Sequence, residues 1–192
     1  MEMQGGVIVA TGKVEASEKI KSILIEGGYD VLGVCKSGNE LIMKTIQCSP
    51  ELVILSYKLP DTTVMEVYDA LVGVCDFLVL TNESYLSIVS ENMDVYYLPH
   101  PFSRSVLLNS VSMIFQGRKQ MAKLQKKVKN LENKMEERKL IEKAKKILIK
   151  NKGITENEAF RFIQKKSMNT GEKMIKIAKD IISKQEWVGL KR

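Results

Sequence analysis

Few residues in this chain could start a chemical reaction. It holds three cysteines, Cys35, Cys48 and Cys75, and a single histidine, His100. A structural zinc site takes four Cys or His ligands at paired spacing. The scattered cysteines instead read as small buried hydrophobes, and His100, set between Pro99 and Pro101, reads as a structural side chain. No nucleophile–base pair stands out. The glycines of GGVIVATG (5–12) lack the G-x-G-x-x-G spacing of a dinucleotide loop. The sequence therefore reads as that of a protein that is not an enzyme, with no metal and no cofactor expected.

Charge carries more information. The chain has a net charge of +7, but residues 1–116 hold seven Lys/Arg against fourteen Asp/Glu, whereas residues 117–192 hold 23 against nine. A first part of −7 and a second of +14 imply two modules with different partners, the second facing a polyanion. The bland alternative is a solvated lysine-rich helical surface. The confinement of the excess to one end favours nucleic acid. No apolar run reaches the roughly 18–20 residues that span a membrane. The opening MEMQGGVIVATG has no basic segment before its short apolar run, so it reads as a strand rather than a signal peptide. A cytoplasmic location and no membrane partner are expected.

The elements that must position these residues alternate in period through the first module. Val7–Ala10, Tyr29–Cys35, Leu52–Leu55, Phe77–Leu80 and Val95–Leu98 have strand character. Between them, helical spacing runs over Ala16–Glu26, from Ser37 as N-cap to Ile46, and over Val64–Leu71, with a weaker helix at Glu83–Ser90. On the second of these helices, Leu41, Ile42, Thr45 and Ile46 are expected to face inward. Parallel strands joined by helices need cover on both faces, which gives a flavodoxin-like sheet of about the right size.

Three segments of this module resemble a response-regulator receiver. LVILSYKLPD (52–61) is similar to the strand and loop that carry the phosphorylated aspartate, LVLTN (78–82) to the switch-threonine strand, and YYLPHPF (96–102) to the lysine–proline segment. The resemblance implies a cis His100–Pro101 peptide. It also exposes the departures. Ser56 stands at the aspartate position and His100 at the lysine position, VIVATGKV (7–14) lacks the acidic pair, and only Thr81 remains. Receiver phosphorylation needs an aspartyl nucleophile and carboxylates that hold Mg²⁺. Ser56, Thr81 and His100 thus read as a degenerate phosphorylation site in a pseudo-receiver, one left with protein interaction as its task. Asp61, in the loop after the third strand, has no acidic partner nearby and does not replace the site.

From Ser103 to Asn151 there is no proline and one glycine, Gly117, so one long helix is expected. Met121, Val128 and Met135 occupy a positions of a heptad seam, with Leu124 and Leu131 at d. So narrow a stripe suits a two-stranded parallel coiled coil and a homodimer. The alternative is a helix packed within one chain.

Beyond the seam the apolar stripe widens through Leu140, Ile141, Ala144, Ile147 and Leu148, ending at Asn151-Lys152-Gly153. TENE, with Thr155 and Glu158 as a capping box, opens a helix with Ala159, Phe160 and Ile163 inward. A third helix is expected over Gly171–Lys184, which makes a small all-α three-helix domain. LIEKAKKILIKNKGITENEAFRFIQKKSMNT (140–170) and KIAKDII (176–182) resemble the ANTAR family of transcription antiterminators. Lys146, where that family usually has glycine, is a departure that still permits the helix.

This resemblance implies dimeric binding to paired hairpins in nascent mRNA leaders, preventing an overlapping terminator from forming. RNA contacts are expected from Lys145, Lys146, Lys150, Arg161, Phe162, Lys165, Lys166, Lys173 and Lys176, with Lys152 and Lys179 adding charge. Sequence-specific RNA recognition targets unpaired bases through stacking and hydrogen bonds, with cations on phosphates. Phe162 is the aromatic expected to be exposed, Phe160 the one expected in the core, and Trp187 lies beyond the stretch that resembles the family, about 138–184. The layout is thus a pseudo-receiver (1–115), a coiled-coil connector (116–137) and an ANTAR domain (138–192). A sensor protein docking on the first is a further candidate partner. Two other readings stay open. One is a DNA-binding response regulator with a helix-turn-helix at 138–184, and the other is a protein-interaction adaptor with a basic tail.

Overall fold

The computed structural model describes residues 4–189. The chain divides into two compact units, residues 1–119 and 120–192.

The first unit is an α/β layer structure. β1 (Gln4–Ala10), β2 (Tyr29–Cys35), β3 (Leu52–Ser56), β4 (Asp76–Thr81) and β5 (Tyr96–Pro99) form one sheet in the order β2-β1-β3-β4-β5, and every neighbouring pair is parallel. That is the flavodoxin-like order, with its switch point between β1 and β3. α1 (Val14–Glu26), α2 (Gly38–Cys48), α3 (Val64–Leu71), α4 (Leu86–Asn92) and the first turns of α5 (Arg104–Lys152) are the crossovers and cover.

The period-2 alternation of the strands makes two cores. Ile8, Ala10, Val53, Leu55 and Val79 face Leu41, Val64, Val67 and Val89. Their neighbours Val7, Val9, Leu52, Ile54 and Leu78 face Ile20, Leu24, Leu107, Val111 and Ile114. Burial on both faces is why these strands read as continuous apolar runs.

Local signals set the helix starts. Ser37 caps α2 by accepting the Glu40 amide, and Thr63 with Glu66 forms a capping box on α3. Gly38 is needed for close approach, since a Cβ there would lie 1.9 Å from the Thr62 methyl carbon. Two inward expectations fail on α2. Ile46 is 63% exposed, and Cys48 is exposed rather than buried. Leu41 and Thr45 set the buried face; Ile46 lies about 100° around the helix from Thr45, too far to share it. Cys35 and Cys75 are buried, and burial pushes both thiols up to about 11, leaving them inert near neutrality.

The second unit contains the rest of α5, then α6 (Glu156–Thr170) and α7 (Met174–Gly189). Ala144 and Leu148 of α5, Ala159 and Ile163 of α6, and Ile177, Ala178 and Ile182 of α7 make its core. Thr155 and Glu158 form the expected capping box, and Gly153 at φ +64° ends α5. Among the described residues no helix is long and apolar enough to cross a membrane.

Candidate nucleic-acid interface

The helical period sorts the basic side chains of the second unit. Ala159 and Ile163, four apart, define the inward face of α6, so Arg161 and Lys165 fall on the far side, one turn apart. Both are exposed, as are Lys146, Lys150 and Lys173, and Lys166 is half-buried. None of these six cations has an ion-pair partner among the described residues.

Lys145 and Lys176 differ. The Lys145 side chain is 9% exposed, and its Nζ lies 2.6 Å from Glu142 and 2.7 Å from Glu156. The hydrogen bonds that it donates, first to Glu142 and then to Glu156, hold its pKa above the ordinary lysine value. Lys145 thus ties α5 to the first turn of α6, a placement at odds with an outward RNA contact. Lys176 is exposed but paired with Glu172 one turn earlier.

Phe162 is 39% exposed, and the ammonium of Lys152 sits 4.3 Å from its ring centroid. Sequence reasoning counted Lys152 only as charge, because no spacing rule reaches across the Gly153 turn. Phe160 is a correction: it is 42% exposed and lies outside the core that it was expected to join. It sits about 60° around the helix from Ile163, where a ring reaches the rim of so small a core. The side chain of Trp187, and residues 190–192 of the expected output domain, lie outside the described residues.

In the α5 stretch before this core, Met121, Leu124, Val128, Leu131 and Met135 are each 54–60% exposed. The heptad spacing places all five on one stripe of the helix, an apolar face more than half exposed among the described residues.

At the C-terminal edge of the sheet, Ser56, Thr81 and His100 close β3, β4 and follow β5. Ser56 pairs in register with Leu80, and the His100 amide donates to the Thr81 carbonyl at 2.8 Å. Thr81 is buried, with its hydroxyl donating to the Asn82 carbonyl at 3.3 Å. The His100 ring stacks on Phe102 with centroids 4.7 Å apart, and the His100–Pro101 bond is cis. Just after β1, Thr11 Oγ1 lies 2.7 Å from Ser17 Oγ of α1. Tyr57 and Tyr85 stack at 4.4 Å beside this edge, with the Lys58 ammonium 5.3 Å from the Tyr85 ring. Among the described residues no group of three or more His, Cys, Asp or Glu is placed to hold a metal ion.

The first unit has a receiver-like fold, and residues 129–182 match the family model described as the ANTAR domain. Over 181 residues the chain is 27% identical to the transcriptional regulatory protein PdtaR of Mycobacterium tuberculosis, covering 92% of this chain and 88% of that protein. A shorter stretch of 71 residues is 31% identical to the nitrate regulatory protein of Klebsiella oxytoca, covering 37% of this chain and 18% of that one.

Solved structures agree on the fold of the first unit. A response regulator receiver domain from Clostridium thermocellum aligns with TM-score 0.54 at 21% identity, over 60% of this chain and 98% of that one. The REC domain of AraT, a response regulator from Geobacillus stearothermophilus, gives 0.55 at 17%, over 62% and 99%. Both sequence relatives are regulatory proteins by name, PdtaR a transcriptional one.

Proposed function

We propose that this chain is an RNA-binding antitermination regulator. In this reading it binds hairpins of nascent mRNA leaders as a dimer and keeps a terminator from forming. The observation that carries the reading is the set of cations without an ion-pair partner among the described residues, Lys146, Lys150, Arg161, Lys165, Lys166 and Lys173, in a region that matches ANTAR. A single polyanion can neutralise such a set, and a hairpin loop adds the unpaired bases that make binding specific.

Dimerisation runs through Met121, Leu124, Val128, Leu131 and Met135, whose exposed stripe supports a partner helix of the same kind. The work divides among a pseudo-receiver at 1–115, a connector at 116–137 and an output domain at 138–192. The first operates without aspartyl phosphorylation: Ser56 ends β3, and the segment 7–14 carries no carboxylate. What remains there is a surface for a partner, such as a sensor protein.

The test is binding of the purified full chain to a two-hairpin leader RNA and to a loop-mutated control across a salt series. Loop-dependent binding that survives physiological salt is expected. Equal, steeply salt-sensitive binding to both RNAs would reduce the domain to a basic patch and favour the adaptor. Tighter binding to duplex DNA at matched salt would favour a DNA-binding regulator.

A further inference from the structure

The Phe162 ring has two features that packing does not explain. It stays 39% exposed outside the core, and it holds the Lys152 ammonium 4.3 Å from its centroid. The two residues come from different helices. Lys152 is the last residue of α5, and Gly153 at φ +64° turns the chain so that α6 returns beneath it. One turn further along α6, at i+3 and i+4 from Phe162, come Lys165 and Lys166. The ring is therefore an apolar platform with one ammonium group over it and two further lysines on the next turn of its own helix.

We infer that Phe162 and Lys152 together form a seat for one unpaired nucleobase of an RNA loop. The base stacks on the ring, and the Lys152 ammonium moves from the ring to the phosphate beside that base. This deepens the RNA-binding reading above and rests on it. Proteins that hold single-stranded nucleic acid combine stacking aromatics with cations along the backbone, because every base has a π-face and every linkage a charge. Phe160 does not meet the same description. It lies about 160° around α6 from Phe162, its neighbour one turn on is Gln164, and no cation lies over its ring among the described residues.

The experiment uses the full chain and a leader hairpin carrying 2-aminopurine at each loop position in turn, since stacking on an aromatic ring quenches this base. Wild type is expected to quench one loop position. Phe162→Leu, which keeps an apolar side chain but no ring, is expected to lose that quenching and about 5- to 150-fold in affinity. Phe162→Tyr keeps both. Lys152→Gln keeps the quenching and lowers the slope of log affinity against log salt by about 0.7.

Phe162→Leu binding and quenching like wild type would overturn the seat while leaving loop-dependent RNA binding in place. Wild type that binds the loop but quenches no position overturns it independently of any variant. Wild type that ignores the loop sequence overturns the RNA reading and the seat with it.

Discussion

The carboxylate of Asp61 accepts the backbone amides of Gly38 at 2.7 Å and of Asn39 at 3.1 Å, so a residue of the β3–α3 loop caps the first turn of α2. Asn39 Nδ2 adds a third hydrogen bond at 2.9 Å. The first acid after Ser56 in the sequence is thus committed to structure. An aspartyl nucleophile needs an uncommitted carboxylate oxygen and a neighbouring Mg²⁺ site. Incubation with a small-molecule phosphodonor and Mg²⁺ is expected to leave the intact mass of the chain unchanged. A stoichiometric phosphoryl adduct at Asp61 would show that the cap opens and that the receiver-like unit is chemically active.

The same hydrogen bonds predict the acid limb of the stability profile. The Gly38 amide, then that of Asn39, holds the Asp61 carboxyl below its ordinary 3.8. The Thr62 hydroxyl lowers Glu66, and the Thr155 amide lowers Glu158, from 4.5. A carboxyl whose folded pKa lies below its unfolded value stabilises fully above the unfolded value and loses that contribution as pH falls through the folded one. Lys145, raised above 10.5, works in the other direction: its contribution is complete below 10.5 and is lost as pH rises beyond it. Thermal melting should therefore be level through neutrality and fall below about pH 4. Asp61→Asn should flatten part of that acid fall, and an unchanged acid limb in this variant would remove the cap from the explanation.

A coiled-coil seam makes a sharper demand. Leu131 at d is 60% exposed in the single chain, and a d side chain is buried only when a second helix covers it. Leu131→Lys places a charge in that seam, and sedimentation should show a dimer of the wild type converting to monomer with at least about tenfold weaker association. The melting of the first unit should hardly change, because Leu131 lies outside its core. A wild-type monomer at micromolar concentration, or a dimer indifferent to this change, would return the stripe to some intramolecular role.

Much of this architecture was legible in the residues because its physics is local. Continuous apolar runs such as Leu52–Leu55 are buried on both faces, Ser37 and Thr155 cap the helices they precede, and Gly153 stops α5. The errors came where apolar character stood in for geometry. Ile46 and Phe160 are both hydrophobic and both beside a buried residue, yet a step of one residue turns a side chain about 100° away from it. The candidate interface was legible as charge but not as pairing. Glu156 reaches Lys145 across the loop, and Lys152 reaches Phe162 across the Gly153 turn; neither contact follows from spacing along one helix.

That difference in pairing separates two lysines of the same unit by experiment. Lys145 is buried between two carboxylates, so Lys145→Gln leaves Glu142 and Glu156 without their shared cation and loosens the α5–α6 junction. Lys165 is exposed and has no acidic partner among the described residues. Lys165→Gln should leave the melting temperature unchanged and lower the slope of log RNA affinity against log salt by about 0.7 to 0.9, the loss of one phosphate contact. Lys145→Gln should do the reverse, lowering the melting temperature while the slope stays within error. If Lys145→Gln instead reduced the slope with no loss of stability, its ammonium would have to leave both glutamates for a phosphate on binding, and the junction would be part of the interface.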